Sequence, residues 1–173
     1  SKAAGIKELA KKGHIVSANL RGSKADLWDG GHRIPFIVKW PSKVKAGTES
    51  NQLICLTDLF ATVSNLLGEK IPQNSGEDSV SFLPALYGKK IVSTRKGVIH
   101  HSISGHFAYR QGPWKLLLAK ASGGWTSPNE RQAPASSAPG QLYNMSTDLG
   151  EKKNLYKEKP EMVASLLALL EKD

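Results

Sequence analysis

The first half of the chain contains two strongly apolar segments separated by polar turns. A nearly continuous apolar run at residues 34–39 is typical of a strand buried on both faces. Apolar residues then recur at helical spacing over residues 56–67, where Thr57 or Asp58 can cap the N-terminus and Gly68 ends the helix. This half therefore predicts a buried strand and a helix whose apolar face packs against a sheet.

From Gly97 onward the pattern changes to short strand-like segments. A stretch rich in Ser, Gly, Pro and Ala at residues 121–140 indicates a loop among them. A final helix starts near Pro160 and carries its apolar residues on one face. The second half therefore predicts an antiparallel sheet covered by one helix. The predicted strands are residues 98–103, 107–110, 114–120 and 141–145.

Composition narrows the classes of partner. The chain has 173 residues, of which 39% are hydrophobic and 23% charged, as in a globular domain with a substantial core. The net charge of +9 favours anionic partners such as nucleic acid, acidic polysaccharide or sulfated glycan. The basic residues are scattered and no nucleic-acid-binding signature accompanies them, so we expect no nucleic-acid partner. No apolar run approaches the roughly 18 residues of a membrane span, so we expect no membrane partner.

The residues that most often bind metals or act as nucleophiles carry little signal. The single cysteine, Cys55, has apolar neighbours, which favours a small buried side chain over a nucleophile. A lone cysteine also excludes an internal disulfide framework. His100, His101 and His106 have no acidic residues nearby in the sequence, so they do not predict a zinc site. We predict no metal site on this chain.

The most informative segment is the loop at residues 20–35. Gly30 and Gly31 allow the backbone to bend sharply and to approach a ligand closely. Lys24 is flanked by Gly22 and by small residues, so it is a mobile point charge suited to the oxygens of an anion. A plain polar surface loop that leads into a strand is the alternative interpretation.

This loop resembles a motif of the sulfatase family, R-G-x-K, four residues, then E-G-G-x-R-x-P. The matching residues are Arg21, Gly22, Lys24, Gly30, Gly31, Arg33 and Pro35. Asp29 stands where the family usually has Glu. Further family motifs of the types D-L-x-x-T-x-x-x-L-x-G, D-G-x-S-x-x-P-x-L-x-G, A-x-R-x-G-x-W-K-L and L-Y-D-L-x-x-D-P-x-E-x-x-N-L are similar to residues 58–68, 78–88, 108–116 and 142–155. Ser79 in place of Gly and Leu149 in place of Pro are the clearest departures among these.

The resemblance implies an α/β fold of the alkaline-phosphatase-like superfamily. The chain would be the C-terminal portion of a sulfatase, about a third of the full-length enzyme. Residues 1–90 would form the end of the large α/β domain. Residues 97–173 would form a small C-terminal subdomain with an antiparallel sheet and one packing helix. The partner of this chain would then be the missing N-terminal part of the same protein.

The resemblance also implies a chemistry. Sulfatases hydrolyse sulfate esters with a formylglycine, made from Cys or Ser in a C/S-x-P-x-R motif, and with a calcium ion. Cys55 is followed by Leu56-Thr57-Asp58 and does not match that motif. Both cofactors would be carried by residues outside this chain, which we expect to bind neither and to be inactive alone. By resemblance, Lys24 is the catalytic lysine that contacts the sulfate group, and the compartment would be periplasmic, secreted or lysosomal.

Several residues are candidates for substrate binding. Trp28 either stacks on a sugar ring or packs in the core. His100, His101 and His106 either reach the rim of the active site or are ordinary surface or hydrogen-bonded histidines. Trp125 is an aromatic residue in a flexible loop, which is typical of binding. Arg33 is expected to form a structural ion pair with Asp29.

Three functions stay open at this point. The first is the C-terminal part of a sulfatase that acts on a sulfated carbohydrate or an aryl sulfate. The second is a free-standing basic module that binds acidic glycans without catalysis. The third is a phosphoesterase of the same superfamily.

Overall fold

The computed structural model describes residues 5–91 and 95–172. The helices are α1 (Ile6–Lys11), α2 (Asp29–His32), α3 (Asp58–Leu67), α4 (Leu83–Leu86) and α5 (Pro160–Leu170), and the strands are β1 (Val98–His101), β2 (Phe107–Gln111), β3 (Trp114–Leu117) and β4 (Gln141–Asn144). Two compact units emerge, one from residues up to Ile34 together with those from Ile99 onward, the other from Pro35–Val98. Within the described ranges, no helix is long and apolar enough to cross a membrane.

The first unit is built on a four-stranded sheet in the order β1-β2-β3-β4. β2 and β3 pair antiparallel with Gln111 opposite Trp114, and β3 and β4 pair antiparallel with Leu116 opposite Leu142. Gly112 takes a positive φ of 51° in the tight turn between β2 and β3, where a side chain would be strained. The predicted antiparallel sheet is therefore confirmed in this half of the chain.

Successive residues of a strand point to opposite sides of the sheet. In this sheet, each of the two sides carries a cluster of buried apolar residues. On one face Tyr109, Leu116 and Leu142 pack with Val163 and Leu166 of α5. This is the predicted packing helix. The other face forms a second cluster that reaches into the loop at residues 20–33. Its members are Leu27, Trp28, Ala108, Leu117, Ala119, Tyr143 and Met145.

The second unit has a less complete core. Asp58 at the start of α3 is buried, and its carboxylate accepts two hydrogen bonds from Arg95, at 2.7 and 2.9 Å. The same carboxylate accepts the backbone N–H groups of Cys55 and Val80, which fixes the approach to the helix. α3 ends at Gly68 in the left-handed conformation, as predicted.

Two expectations for this unit are wrong in the structure of this chain. Residues 34–39 are not a buried strand, since they have no strand partner among the described residues and Ile37 is 89% exposed. No sheet within the described part of this unit covers the apolar face of α3, and Leu59, Phe60 and Val63 are exposed. Both segments need neighbouring strands to bury them, and the only described sheet belongs to the other unit.

Cys55 also differs from the expectation of full burial. It is half-buried, and its Sγ lies 2.9 Å from the Thr57 hydroxyl and 3.3 Å from a guanidinium nitrogen of Arg95. The reason is local, because Asp58 draws Arg95 toward this turn and polar groups therefore surround the sulfur.

Candidate functional site

The loop at residues 20–33 is held in one conformation by its own glycines. A Cβ on Gly30 would collide with the carbonyl oxygen of Gly22, and one on Gly31 would collide with the carbonyl oxygen of Asp26. The backbone can therefore fold back on itself only because both positions lack a side chain. The N–H of Gly30 donates to the carbonyl of Arg21 at 2.8 Å and closes the turn.

Asp26 ties this loop to a second loop at residues 122–126. Its side chain is fully buried, and Oδ2 accepts the N–H of Ser23 at 2.8 Å. Oδ1 accepts the N–H groups of Trp125 and Thr126 at 2.9 and 3.0 Å. A carboxylate buried in this way is stabilised by its backbone donors, so Asp26 makes one unit of the two loops.

Lys24 lies at the tip of the first loop and is exposed. It is preceded by Ser23, whose hydroxyl lies 3.2 Å from that of Thr126, and followed by Ala25, which has a φ of +86°. Among the described residues, no hydrogen bond or ion pair is made by its ammonium group. A cation that is rigidly supported and unpaired is well placed to meet an external anion.

A buried cluster of charges lies behind this loop. The Nζ of Lys115 is fully buried and lies 2.7 Å from Oδ1 of Asp29 and 2.9 Å from Oε1 of Glu151. The other oxygen of Glu151 accepts the N–H of Asp29 at 2.7 Å. Burial raises the pKa of Glu151, whereas for Asp29 the nearby Lys115 outweighs burial and lowers the pKa. This cluster joins the motif loop to β3 and to the turn at Glu151.

Lys115 and Glu151 lie within the family-like segments 108–116 and 142–155, but the sequence alone predicted a charge partner only for Asp29. One signal was present: in β3, Lys115 and Leu117 lie on the same side of the strand, and Leu117 is a core residue. A lysine on a buried face requires an acidic partner. Arg33, the expected partner of Asp29, is 53% exposed and its guanidinium lies 3.8 Å from the carboxylate, so it is the weaker of the two contacts.

Trp28 lies in the core, with 1% of its surface exposed. Its Nε1 donates to the side-chain carbonyl of Gln141 at 3.0 Å, and the guanidinium of Arg21 lies 3.8 Å from its ring centroid. Arg21 also donates to the hydroxyl of Tyr143 and to the carbonyl of Glu151. The ring nitrogen and one face of the indole are therefore already in contact with protein groups. The geometry supports packing of Trp28 in the core over stacking on a sugar ring.

The three candidate histidines have different surroundings. His100 is partly buried, and its Nε2 lies 3.3 Å from the carbonyl oxygen of Leu27. The centroid of its ring lies 4.1 Å from that of His32, and the two ring planes are tilted by 54°. Burial lowers the pKa of His100 to about 3, and it also lowers the pKa of His32. His100 is therefore neutral at pH 7.

His101 and His106 lie at the two ends of the turn that follows β1. His101 is exposed, and its Nδ1 lies 2.9 Å from the carbonyl oxygen of Ser102. The backbone N–H of His106 donates to the hydroxyl of Ser102. The N–H of Ile103, inside this turn, donates to the carbonyl of Ala25 at 3.1 Å. The turn is thus attached directly beside Lys24.

Trp125 is exposed over 58% of its surface, while its backbone is fixed by Asp26. A Cβ on the preceding Gly124 would collide with the carbonyl oxygen of Ala25. The loops that carry Lys24 and Trp125 are therefore in direct backbone contact. Of the six sequence candidates, Lys24, Trp125 and His101 are exposed, His100 and His106 are partly exposed, and Trp28 is buried.

The residues described here do not fit the cofactors that the resemblance implies. Within residues 5–91 and 95–172, no group of three or more His, Cys, Asp or Glu side chains is arranged to hold a metal ion. Cys55 lies in the second unit and lacks the sequence that formylglycine formation requires.

Comparisons with known proteins point to one family. No protein-family model matches the chain. An N-acetylgalactosamine-6-O-sulfatase of Bacteroides thetaiotaomicron is 35% identical over 165 residues, which are 92% of this chain and 30% of that protein. Arylsulfatase G of Rattus norvegicus is 30% identical over 150 residues, covering 80% of this chain and 27% of that protein. The chain thus spans about a third of the length of these relatives.

Comparison with solved structures agrees with these sequence similarities. One, described under the metabolism of multiple glycosaminoglycans by Bacteroides thetaiotaomicron, superposes with a TM-score of 0.78 at 32% identity and covers 94% of this chain and 33% of that one. Another, solved in complex with a neocarrahexaose, has a TM-score of 0.69 at 23% identity and covers 95% of this chain and 33% of that one, which shows likeness of fold alone.

The sheet, its packing helix and these superpositions assign the chain to the alkaline-phosphatase-like α/β class, as predicted. Within that class, the chain is a homologue of the sulfatases, whose similarity covers nearly its whole length. The predicted resemblance to the sulfatase family is therefore confirmed. The domain boundary between residues 90 and 97 stays a prediction.

Proposed function

We propose that this chain is the C-terminal part of a sulfatase and that the complete protein hydrolyses the sulfate esters of sulfated carbohydrates or aryl sulfates. The observation that carries the proposal is Lys24, an exposed lysine that lies on a loop resembling the sulfatase motif and makes no ion pair within residues 5–91 and 95–172. The similarity to an N-acetylgalactosamine-6-O-sulfatase and to arylsulfatase G supports the reaction class.

In this proposal Lys24 binds the sulfate group and offsets its charge as the ester bond breaks. The stabilisation is electrostatic, and it is effective because the loop is fixed before the substrate arrives. Asp26 and the buried cluster around Lys115 supply that fixation. The formylglycine that attacks sulfur and the calcium ion that holds the sulfate oxygens would be carried by the remainder of the protein.

The remainder of the protein is also the proposed partner of the second unit. The exposed apolar residues of α3 and the extended residues 34–39 would be buried by strands of the large α/β domain, to which residues 1–90 are assigned in this proposal. Residues 97–173 would form the C-terminal subdomain.

The test is Lys24→Ala in the complete protein. Loss of one preorganised charge contact is expected to lower sulfate-ester turnover by roughly 10²–10³-fold. Lys172→Ala, which removes an exposed lysine at the end of α5, is the matched control and is expected to retain full activity. Unchanged kinetics in Lys24→Ala would remove Lys24 from the active site.

Two other functions are separated by simple measurements. A phosphoesterase of the same superfamily would turn over phosphate monoesters in preference to sulfate monoesters in the complete protein. A non-catalytic basic module, consistent with the net charge of +9, would bind acidic glycans without releasing sulfate. A C/S-x-P-x-R motif in the sequence upstream of Ser1 would support the sulfatase over this module.

A further inference from the structure

We propose that Trp125 is a specificity-determining residue that contacts the sugar ring bearing the sulfate, and that Asp26 is the positioning residue that fixes it beside Lys24. This inference rests on the proposed sulfatase function and adds that the site recognises the sugar ring of the substrate as well as its sulfate group. It concerns two residues in loops that are 99 positions apart in the sequence.

The first step is the contact between the two loops. Ser23 and Ala25, which flank Lys24, contact Thr126 and Gly124, which flank Trp125. The hydroxyls of Ser23 and Thr126 lie 3.2 Å apart. A cation and an aromatic side chain therefore start from adjacent backbone positions.

The second step is the role of Asp26. Its two oxygens divide between the loops, since Oδ2 accepts from Ser23 and Oδ1 accepts from Trp125 and Thr126. Removing this carboxylate would leave three partly buried N–H groups without the acceptor that holds both loops. The position of Trp125 relative to Lys24 is therefore set by a group that touches neither the sulfate nor the sugar.

The third step is the exposure of Trp125. Tryptophan is highly buried on average, but the side chain of Trp125 is 58% exposed while its backbone is fixed. Thr126, which follows Trp125, and Ser23 carry hydroxyl groups that lie 3.2 Å apart on the same pair of loops. An exposed indole suits the face of a pyranose, whose C–H groups pack on the flat apolar ring.

The test compares two competitive inhibitors of the complete protein, inorganic sulfate and glucose 6-sulfate. Trp125→Ala is expected to weaken binding of glucose 6-sulfate roughly tenfold, as loss of one ring contact implies, and to leave the inhibition by inorganic sulfate within about twofold. Trp125→Phe keeps a ring and is expected to recover most of the affinity for glucose 6-sulfate.

The outcomes separate this proposal from the function on which it rests. If Trp125→Ala leaves the affinity for both inhibitors unchanged, or weakens both equally, Trp125 does not contact the sugar ring. Weaker binding of both inhibitors by Lys24→Ala would still support the sulfatase function in that case. If Lys24→Ala changes neither inhibitor, the proposed function itself fails. Stronger loss for an aryl sulfate inhibitor than for glucose 6-sulfate in Trp125→Ala would overturn the assignment to a sugar ring.

The positioning role of Asp26 has its own measurement. Asp26→Asn keeps the shape of the side chain but presents an NH₂ group to backbone donors, so the loops are expected to separate and glucose 6-sulfate to bind at least tenfold more weakly. Combined with Trp125→Ala, the two losses should be far from additive, because both remove the same contact. Additive losses would overturn the positioning role. Thr126→Ala, which removes only one inter-loop hydroxyl, is a milder variant should Asp26→Asn not fold.

Discussion

The two compact units of this chain differ in how well they bury their own apolar residues. In the first unit, Val163 and Leu166 of helix α5 pack against the sheet, and Leu166 has no exposed surface. In the second unit, helix α3 has a comparable apolar stripe, yet Leu66 is 44% exposed and Leu67 is 68% exposed. Two amphipathic helices of similar length thus have opposite environments.

The difference shows that an apolar stripe defines which face a helix will bury but not what will bury it. The first unit contains both the helix and the sheet on which it packs, so the apolar face of α5 is covered within the chain. The candidate site lies wholly in this first unit, on loops that a buried charge cluster and a buried carboxylate hold in place.

The largest effect is expected at Lys115. Lys115→Ala leaves Asp29 and Glu151 buried without their cation, which is expected to lower the free energy of unfolding of the first unit by about 3–5 kcal/mol. Urea denaturation followed by near-ultraviolet circular dichroism measures it. Lys153→Ala breaks an ion pair of similar length that is 68% and 55% exposed on its two sides, and it should cost at most about 1 kcal/mol. Equal losses would show that the buried cluster does not stabilise this unit.

A matched pair of leucines tests the contrast between the helices directly. Leu166→Ala in α5 opens a cavity in a complete core and is expected to cost about 2–5 kcal/mol of the free energy of unfolding. Leu66→Ala in α3 should cost less than about 1 kcal/mol in this chain, since that side chain already meets water. In the complete protein we expect the cost of Leu66→Ala to rise. The contrast fails if Leu66→Ala is as costly as Leu166→Ala in the 173-residue chain.

The buried position of His100 predicts that the free energy of unfolding of the first unit depends on pH. Its pKa is about 3 in the folded protein and 6.5 in the absence of burial, so the unfolded state binds the extra proton between these values. Stability is therefore fully present above pH 6.5 and is lost as the pH falls toward 3, by at most about 1.4 kcal/mol per pH unit. His100→Asn should flatten this slope between pH 6.5 and 4. Parallel profiles of the two proteins over that range would refute the assignment.

The smallest effect is expected at Arg33. Its guanidinium is 53% exposed and 3.8 Å from Asp29, so Arg33→Ala should change the free energy of unfolding by less than about 1 kcal/mol. The same urea experiment measures it beside Lys115→Ala. A loss as large as that of Lys115→Ala would make Arg33, and not Lys115, the main partner of Asp29.

Much of the local structure could be predicted from the sequence. The hairpin around Gly112, the helix that starts at Pro160 and the end of α3 at Gly68 follow from turn chemistry and apolar periodicity, which act over a few residues. The strand expected at residues 34–39 was wrong for this chain, because an apolar run predicts burial without stating whether a partner strand is present.

The sequence by itself determined the type of most elements of the first unit, the two glycines that the tight loop needs, and the cation at its tip. Only the tertiary structure decided that Lys115, Asp29 and Glu151 meet, that Trp28 is core, and that Asp26 joins Lys24 to Trp125. The physical reason is the distance along the sequence over which each kind of interaction acts. Propensity and periodicity act between neighbours in sequence, whereas these contacts join residues that only the folded sheet and its loops bring together.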